Sequence, residues 1–396
     1  MRIATANAYD ASIENLQTRQ VEMARSQAQL TSGKRVLRAS DDPTAAARAE
    51  RALATIGRSE TSQRAVDASK TAMSLTESAL GDAGDLLQQA RELMVQAGNA
   101  SYSDGERSAL AQQLKSIRDQ LLSVANRGDG NGGFVFAGQG SGGGAPFVDA
   151  PGGVAFQGVA GAVQVAGDEP LPLTVDGSGA WLKSRSGNGV FETSAAAGTT
   201  GAWIDAGHVT DPSQITSSTY TVTFGAGGST YSVLKDGVAT ALTNVTFESG
   251  KAINIDGMAF TVTGSPSASD SYQVSPSANS LSVFDALDQA IGDLKTTGRT
   301  SAQIAQTAQT GLRDLDAAMG GLQSMRSAVG QALNRADGVS SRLDGSKLAA
   351  QTVQSDAVDL DMVDAISEFQ SQQSGYDAAL KTYSIVQRMS LFQYLG

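Results

Sequence analysis

The chain has 396 residues, 29 Lys and Arg against 40 Asp and Glu, and a formal net charge of −11, so charge alone does not draw it to a nucleic-acid backbone or an anionic membrane. It has no cysteine and one histidine, His208, which excludes disulfides, thiolate metal sites, cysteine nucleophiles and any site built on two histidines. Aromatic residues make up only 5% of the chain; with Ala, Ser, Gly, Gln and Thr plentiful, this suits long helices with narrow apolar seams, and the length predicts two or three domains.

From the N-terminus, Met1-Arg2-Ile3-Ala4 opens a segment with no apolar h-region and no small-residue cleavage site, so it does not read as a cleavable signal peptide. Ala6, Tyr9, Ile13, Leu16, Gln20, Met23, Gln27 and Leu30 then recur at spacings of three and four, the a/d seam of a first helix. Gly33, after Thr31-Ser32, is the expected helix stop. Ser40, Asp41 and Asp42 offer capping oxygens, and Pro43 fits the first position of a second helix. Along it Val66, Met73, Leu80, Leu87 and Met94 recur every seven residues. Ser69, Thr76, Ala83 and Ala90 fill the seam between them and are small enough for a close neighbour. Continuous from Pro43 to Gly98, this helix would run roughly 80 Å at ~1.5 Å per residue, which points to a rod. Gly81 and Gly84 weaken it by up to about 1 kcal/mol each relative to alanine. A third helix follows Ser103-Asp104-Gly105, with Leu110, Leu114, Ile117, Leu121 and Val124 on one face.

Residues 128–280 change character to Gly, Ser, Thr, Val and Pro. Gly128–Gly144 reads as a flexible link into a strand at Phe134-Val135-Phe136. Tyr220, Val222 and Phe224 share one face of a strand, and Asp236-Gly237 and Asp256-Gly257 are hairpin turns. The second turn lies between Ile253/Ile255 and Phe260/Val262, and Tyr272 and Val274 mark a last short strand. Helical periods return with Phe284, Leu287, Ile291 and Leu294, then Leu312, Leu315, Met319, Leu322, Val329, Leu333 and Leu343. The end repeats the opening seam through Met362, Ile366, Phe369, Gln373, Tyr376, Leu380 and Tyr383.

Both terminal seams place glutamine at a-type positions: Gln20, Gln27, Gln373 and Gln387. A buried Leu, Ile or Phe contributes about 1.5–3 kcal/mol, which a seam glutamine forgoes while needing a hydrogen-bond partner. A lone pair of terminal helices is therefore marginal, and residues 1–32 and 355–396 are expected to order only when several subunits pack together. The proposed assembly seams are Ile13, Leu16, Met23 and Leu30 at one end and Met362, Ile366, Phe369, Tyr376, Leu380 and Tyr383 at the other.

No catalytic constellation accompanies these seams. His208 lies in a loop-like stretch without an orienting partner. Gly33-Lys34 lacks the upstream glycine, following hydroxyl and preceding strand of a phosphate loop, and Gly128–Gly144 has no dinucleotide fingerprint. Asp356, Asp359, Asp361 and Asp364 lack the Gly and terminal Glu of a calcium loop and read as a solvated helix face. No cofactor or metal is implied. The Arg127-Gly128-Asp129 triplet and the sequons at Asn99 and Asn244 are short enough to arise by chance, and they are assigned no role.

Two distant stretches resemble one family. Gln29-Leu30-Thr31-Ser32-Gly33-Lys34-Arg35-Val36 and Ala39-Ser40-Asp41-Asp42-Pro43 look like the N-terminal signature of bacterial flagellins and hook-associated proteins. Gln89-Ala90-Arg91-Glu92-Leu93-Met94, Asn126 and Gly133-Phe134-Val135-Phe136-Ala137-Gly138 are similar to their rod domain, and Asp361 through Leu395 resembles their C-terminal half. The opening residues, with Tyr9-Asp10, and the closing Leu391-Phe392-Gln393-Tyr394-Leu395 look like the hook–filament junction branch; so does the 250–277 pattern. The motif residues carried over are Ser32, Gly33, Ser40, Asp41, Asp42 and Pro43.

The resemblance implies an α+β multidomain chain with a long antiparallel helical rod or coiled coil from both termini and an inserted all-β outer domain. Expected boundaries are 1–42 with 350–396 for a terminal coiled coil, 43–140 with 278–349 for a helical rod domain carrying a β-hairpin, and 141–277 for the β-rich outer domain. It further implies an extracellular flagellar location reached by type III export. The partners would be a ring of copies of itself, the FlgK junction protein, flagellin and an export chaperone of the FlgN type. A filament subunit shares the same motifs and is the alternative; a carbohydrate-binding or glycan-active β insert is a third reading.

Overall fold

A computed structural model describes the backbone of residues 2–140, 143–165 and 169–395, and within these the side chains of all but residues 2–9 and 386–395. Its helices are α1 (Arg2–Ser32), α2 (Pro43–Ala97), α3 (Asp104–Ala125), α4 (Ser178–Leu182), α5 (Val283–Lys295), α6 (Ser301–Val358) and α7 (Met362–Leu395). The architecture is the expected α+β one, with long helices toward both termini and a β-rich insert. Two compact units emerge: residues 1–64 with 339–396, and residues 65–338. The helices α2 and α6 contribute a segment to each.

In the larger unit the seven-residue seam of α2 is wholly inside. Val66, Met73, Leu80, Leu87 and Met94 are buried, and so are Ser69, Thr76, Ala83 and Ala90. Small residues let α6 come close: Met94 fills the space that a Cβ at Gly311 would occupy, and a Cβ at Gly98 would lie 3.1 Å from Ala308. The helix runs unbroken through Gly81 and Gly84. Ser103 starts α3 through a capping box with Glu106. Its buried face, Leu110, Leu114, Ile117, Leu121 and Val124, shares one core with Phe284, Leu287, Ile291 and Leu294 of α5. Trp181 of α4 stacks on Phe284 with ring centroids 5.9 Å apart, and Phe136 and Phe147 meet it edge-on.

Charge sets the register of α2 against α6. Lys70 pairs with Asp337 at 2.8 Å, Glu77 with Arg326 at 2.5 Å and Arg91 with Asp316 at 2.8 Å. Lys70, Glu77 and Arg91 lie at multiples of seven and therefore on one stripe of α2, and their signs alternate. Each exposed pair is worth only about 0–1 kcal/mol. Shifting the helices by one rung, however, would oppose like charges, which makes the ladder a device for alignment.

The segment Phe134–Phe136 corrects the expected strand. Within it only Phe134 forms a bridge, to Gly128, and the residues that follow, Ala137 and Gly138, bridge singly to Asp176 and Val159. The reason is local: Asp129 Oδ1 accepts from the N–H groups of Asn131 and Gly133 at 2.8 Å each, folding the loop back on itself. Val135 and Phe136 are buried as loop residues. The first regular hairpin comes later, Phe147–Ala150 with Gly153–Phe156. Arg118 of α3 fastens it to α5 by donating to Asp149 and, at 3.1 Å, to Asp288.

The insert is built from two antiparallel sheets. One holds, in order, Val238–Ala239, Thr230–Lys235, Tyr220–Phe224, Ser271–Pro276 and Phe191–Ala195, with Val245–Thr246 also on Thr230–Lys235. The other holds Ala252–Ile255, Met258–Gly264 and Ala202–Ile204, with His208–Val209 on Met258–Gly264. Alternation sends Tyr220, Val222, Phe224, Tyr272 and Val274 of the first sheet into a core shared with Ile204, Ile253, Phe260 and Val262 of the second. The Asp236-Gly237 and Asp256-Gly257 turns close two-residue hairpins, and all four residues have positive φ, as type I′ turns require. Ser271–Pro276 is not the last strand; Asn279–Leu281 follows and pairs with Ser184–Arg185.

The insert hangs on α6 and on Thr300 just before it, through polar side chains that bind its backbone. Thr300 Oγ1 donates to the Thr200 carbonyl at 2.8 Å, and Gln306 Oε1 accepts from the Ile204 N–H at 2.9 Å. Arg313 donates to the Thr193 carbonyl and pairs with Glu192 and Asp314.

Candidate functional site

The smaller unit holds both terminal helices, and it shows what their seams do within one chain. Gly33, with φ +69°, ends α1, and its N–H donates to the Gln29 carbonyl at 2.9 Å. Ser32 Oγ then accepts from the Lys34 N–H at 3.2 Å. The chain next runs beside the α6–α7 connection. Arg35 N–H donates to the Val358 carbonyl at 2.7 Å, Leu360 N–H to the Gly33 carbonyl at 3.0 Å, and the Arg35 guanidinium to the Ala357 carbonyl at 2.8 Å. Val36, Ala45, Ala49 and Ala357 form the small buried cluster at this junction.

The two aspartates of the motif divide the work. Asp41 accepts from the N–H groups of Leu37 and Arg38, which pins the loop and lowers its pKa, Arg38's N–H being the main cause. Asp42 Oδ1 accepts from the N–H of Ala45 at 3.0 Å and of Thr44 at 3.1 Å and so caps α2. These bonds, first the one from Ala45 and then the Thr44 hydroxyl, lower its carboxyl to about 2. Pro43 is the first residue of α2, while Ser40 is exposed and makes no side-chain hydrogen bond among the described residues. At the other end Asp361 Oδ1 accepts from the Val363 N–H at 2.9 Å and caps α7.

The helices α1 and α7 pair antiparallel. Ser26 Oγ donates to Gln372 Oε1 at 2.8 Å, and Arg19 reaches Gly375. The paired stripe runs through Leu16, Met23 and Leu30 of α1 and Phe369, Tyr376 and Tyr383 of α7, all half-buried, with Ile13 at its margin. No described residue of α1 is fully buried, and Ala365 is the only one in α7. Met362, Ile366 (45%) and Leu380 (41%) are exposed, as are Val21 and Val363.

At the half-buried large residues the stripe is the expected one; the positions between them differ. Gln20, Gln27 and Gln373 face outward, and the polar pair inside the seam is Ser26 with Gln372. The large residues Leu16, Met23, Leu30, Phe369, Tyr376 and Tyr383 keep the expected side, while the positions between them are filled by Ser26, Ala365, Gln372 and Ala379, one residue and about 100° around the helix from the expected ones. The sequence signal for these positions is the seven-residue series Ala365, Gln372 and Ala379, which lacks large apolar side chains. Ala6, Tyr9, Gln387 and Leu391–Leu395 lie outside the residues whose side chains are described.

Among the described residues, no three His, Asp or Glu side chains are placed to hold a metal. His208 is exposed, far along the chain in a short strand opposite Ala259. What the terminal pair offers is an outward stripe of apolar side chains and glutamines on α7, open to further helices.

Known proteins carry the same parts in the same order. The model for the bacterial flagellin N-terminal helical region matches residues 3–141, and that for the C-terminal helical region matches residues 312–395. Residues 193–276 match a D2-like domain of flagellar hook-associated protein 1. Flagellar hook-associated protein 3 of Escherichia coli is 27% identical over 406 residues, covering 99% of both chains. The crystal structure of Xanthomonas campestris FlgL is 30% identical, with a TM-score of 0.67 over 76% of this chain and 99% of that one. The flagellar junction protein FlgL from Legionella pneumophila is 28% identical, with a TM-score of 0.65 over 70% of this chain and 95% of that one.

Proposed function

The chain belongs to the bacterial flagellin family, and from that premise we propose that it is a structural subunit of the flagellum at the hook–filament junction. It joins hook-associated protein 1 to the flagellin filament as a mechanical adaptor. The observation that carries this reading is the end-to-end likeness to hook-associated protein 3, at 27% identity over 99% of both chains, with the FlgL fold matched at a TM-score of 0.67. The match of residues 193–276 to a domain of hook-associated protein 1 supports a kinship with the neighbour on the hook side.

In this reading copies of the chain stand side by side in a ring, and their terminal helices pack through the exposed stripe Met362, Ile366 and Leu380. Half-buried seams favour such completion. Ordering a residue costs about 1–2 kcal/mol of backbone entropy, and a leucine only partly removed from water returns a fraction of its ~1.5–3 kcal/mol. The terminal pair thus draws much of its order from neighbouring copies. Before assembly an export chaperone of the FlgN type covers the α7 stripe, and the chain leaves the cell by type III export. No helix among the described residues is long and apolar enough to cross a membrane. The role is structural rather than catalytic.

A deletion strain tests the reading. Loss of this protein should leave hooks intact and release unassembled flagellin monomers into the medium; intact filaments would refute it. The alternative, a filament subunit, predicts long polymers on seeding, where a junction subunit stops after a layer or two. Hydrogen exchange on the dilute monomer tests the order of the ends: strong amide protection in α1 and α7 would overturn it.

A further inference from the structure

The larger unit carries an open concavity. It is a groove of about 1020 Å³ between α6, the end of α4 and the loop that follows α4. Leu312, Ala317 and Met325 give it an apolar floor, and Arg91, Lys183 and Arg185 stand around it. Arg91 is paired with Asp316, and the nearby Arg313 with Glu192 and Asp314. Lys183 and Arg185 are exposed and make no ion pair among the described residues. Their backbone is not loose: Ser184–Arg185 is laddered to Asn279–Leu281, and Ser184 Oγ donates to the Ala180 carbonyl at 3.0 Å. Two free cations are thus held beside an apolar trough in a chain of net charge −11.

The complementary surface lies on the same chain. Between residues 65 and 97 the only cations are Lys70 and Arg91, and both turn to acids of α6. Asp85 and Glu92 are left on the outward stripe of α2 that borders α3, exposed and without an ion pair among the described residues. Seven residues apart, they sit two turns apart on one face, ~10 Å along the helix. Their neighbours on this face are Gln89 and Gln96, with Leu93 and Ile117 behind them. An acidic, glutamine-rich helix face with apolar residues at its edge matches a cationic rim over an apolar floor.

We infer that the groove beside Lys183 and Arg185 receives the Asp85–Glu92 face of a second copy of this chain. This inference deepens the junction reading and rests on it for the existence of side-by-side copies. The two patches are different surfaces of one unit, so the contact is heterologous; repeated from copy to copy it runs in one direction and closes into a ring where the rotation permits. Because the charges are exposed, salt weakens the contact.

The test uses the full-length protein at high concentration, half of it ¹⁵N-labelled, and a carbodiimide that joins a lysine amine to a carboxylate lying against it. Mixed-isotope peptides linking Lys183 to Asp85 or Glu92 are expected, with yield falling at least five-fold in high salt. The variants Lys183→Glu/Arg185→Glu and Asp85→Lys/Glu92→Lys should each lower dimer content at sedimentation equilibrium at least five-fold. The four changes combined in one chain should restore it to within two-fold. Absence of mixed-isotope links at these residues, or a fourfold variant as defective as the double variants while equally folded by circular dichroism, would overturn the inference. These outcomes do not depend on the deletion strain. A wild-type chain that shows the links but fails to restore filaments there would refute the junction reading and leave the contact standing.

Discussion

The inner seam of α2 and the paired seam of α1 with α7 share a seven-residue spacing and differ in what they bury. Val66, Met73, Leu80, Leu87 and Met94 are each at 2% exposure or less, and from Met73 onward they share one core with residues of α3, α5 and α6. Leu16, Met23 and Leu30 meet one partner helix and remain half-open. Spacing therefore decides which face a residue occupies, while the number of neighbours decides what that face is worth. The inner seam finds its neighbours within the chain. The terminal one has a single helix beside it and an exposed stripe to spare.

The sharpest way to break this contrast is to alter the spare stripe. Ile366→Asp with Leu380→Asp should leave the thermal midpoint of the monomer nearly unchanged and abolish complementation of a deletion strain in a motility assay. Full motility, or a collapsed monomer, would show that the stripe is not reserved for neighbours. In urea, Leu87→Ala should lower the stability of the larger unit by about 2–5 kcal/mol, whereas Leu16→Ala should cost about 1 kcal/mol or less. Equal losses would erase the distinction.

The smallest effect concerns pH. The folded carboxyl of Asp42 is lowered to about 2 by the N–H of Ala45 first, against ~3.9 in an unfolded chain. Its contribution is thus complete above the unfolded value and lost as pH falls from there through the folded one. Between pH 4 and pH 2, far-ultraviolet circular dichroism should show the wild-type terminal unit weakening and converging on Asp42→Ala. A constant gap between the two proteins across that window would count against the cap.

How much of this was legible in the sequence follows the same division. The inner seam and the two Asp-Gly hairpins could be read directly, since a strict period and a positive-φ turn are local properties. Gly33, Asp42 and Pro43 could be read for the same reason. The polar positions of the terminal seam could not: Gln20, Gln27 and Gln373 look like seam residues until a partner selects the Ser26–Gln372 side. Nor could the pairing of Lys70, Glu77 and Arg91, because it depends on where Asp337, Arg326 and Asp316 arrive from more than two hundred residues away. Phe134–Phe136 misled because its apolar run is buried by a loop folded around Asp129 rather than by a sheet.

That alternating ladder carries a mechanical consequence. In the proposed role, joining hook to filament, a subunit would be loaded in shear, one helix pulled lengthwise past another. The apolar seam, with Met94 seated against Gly311, resists separation and holds one fit of side chains. In the larger unit a slide of one rung would bring Lys70 toward Arg326 and Glu77 toward an aspartate, so attraction would turn into repulsion along the same coordinate. The ladder thus works as a detent: each pair is weak, but Lys70 and Glu77 lose attraction and meet repulsion together along the same slide.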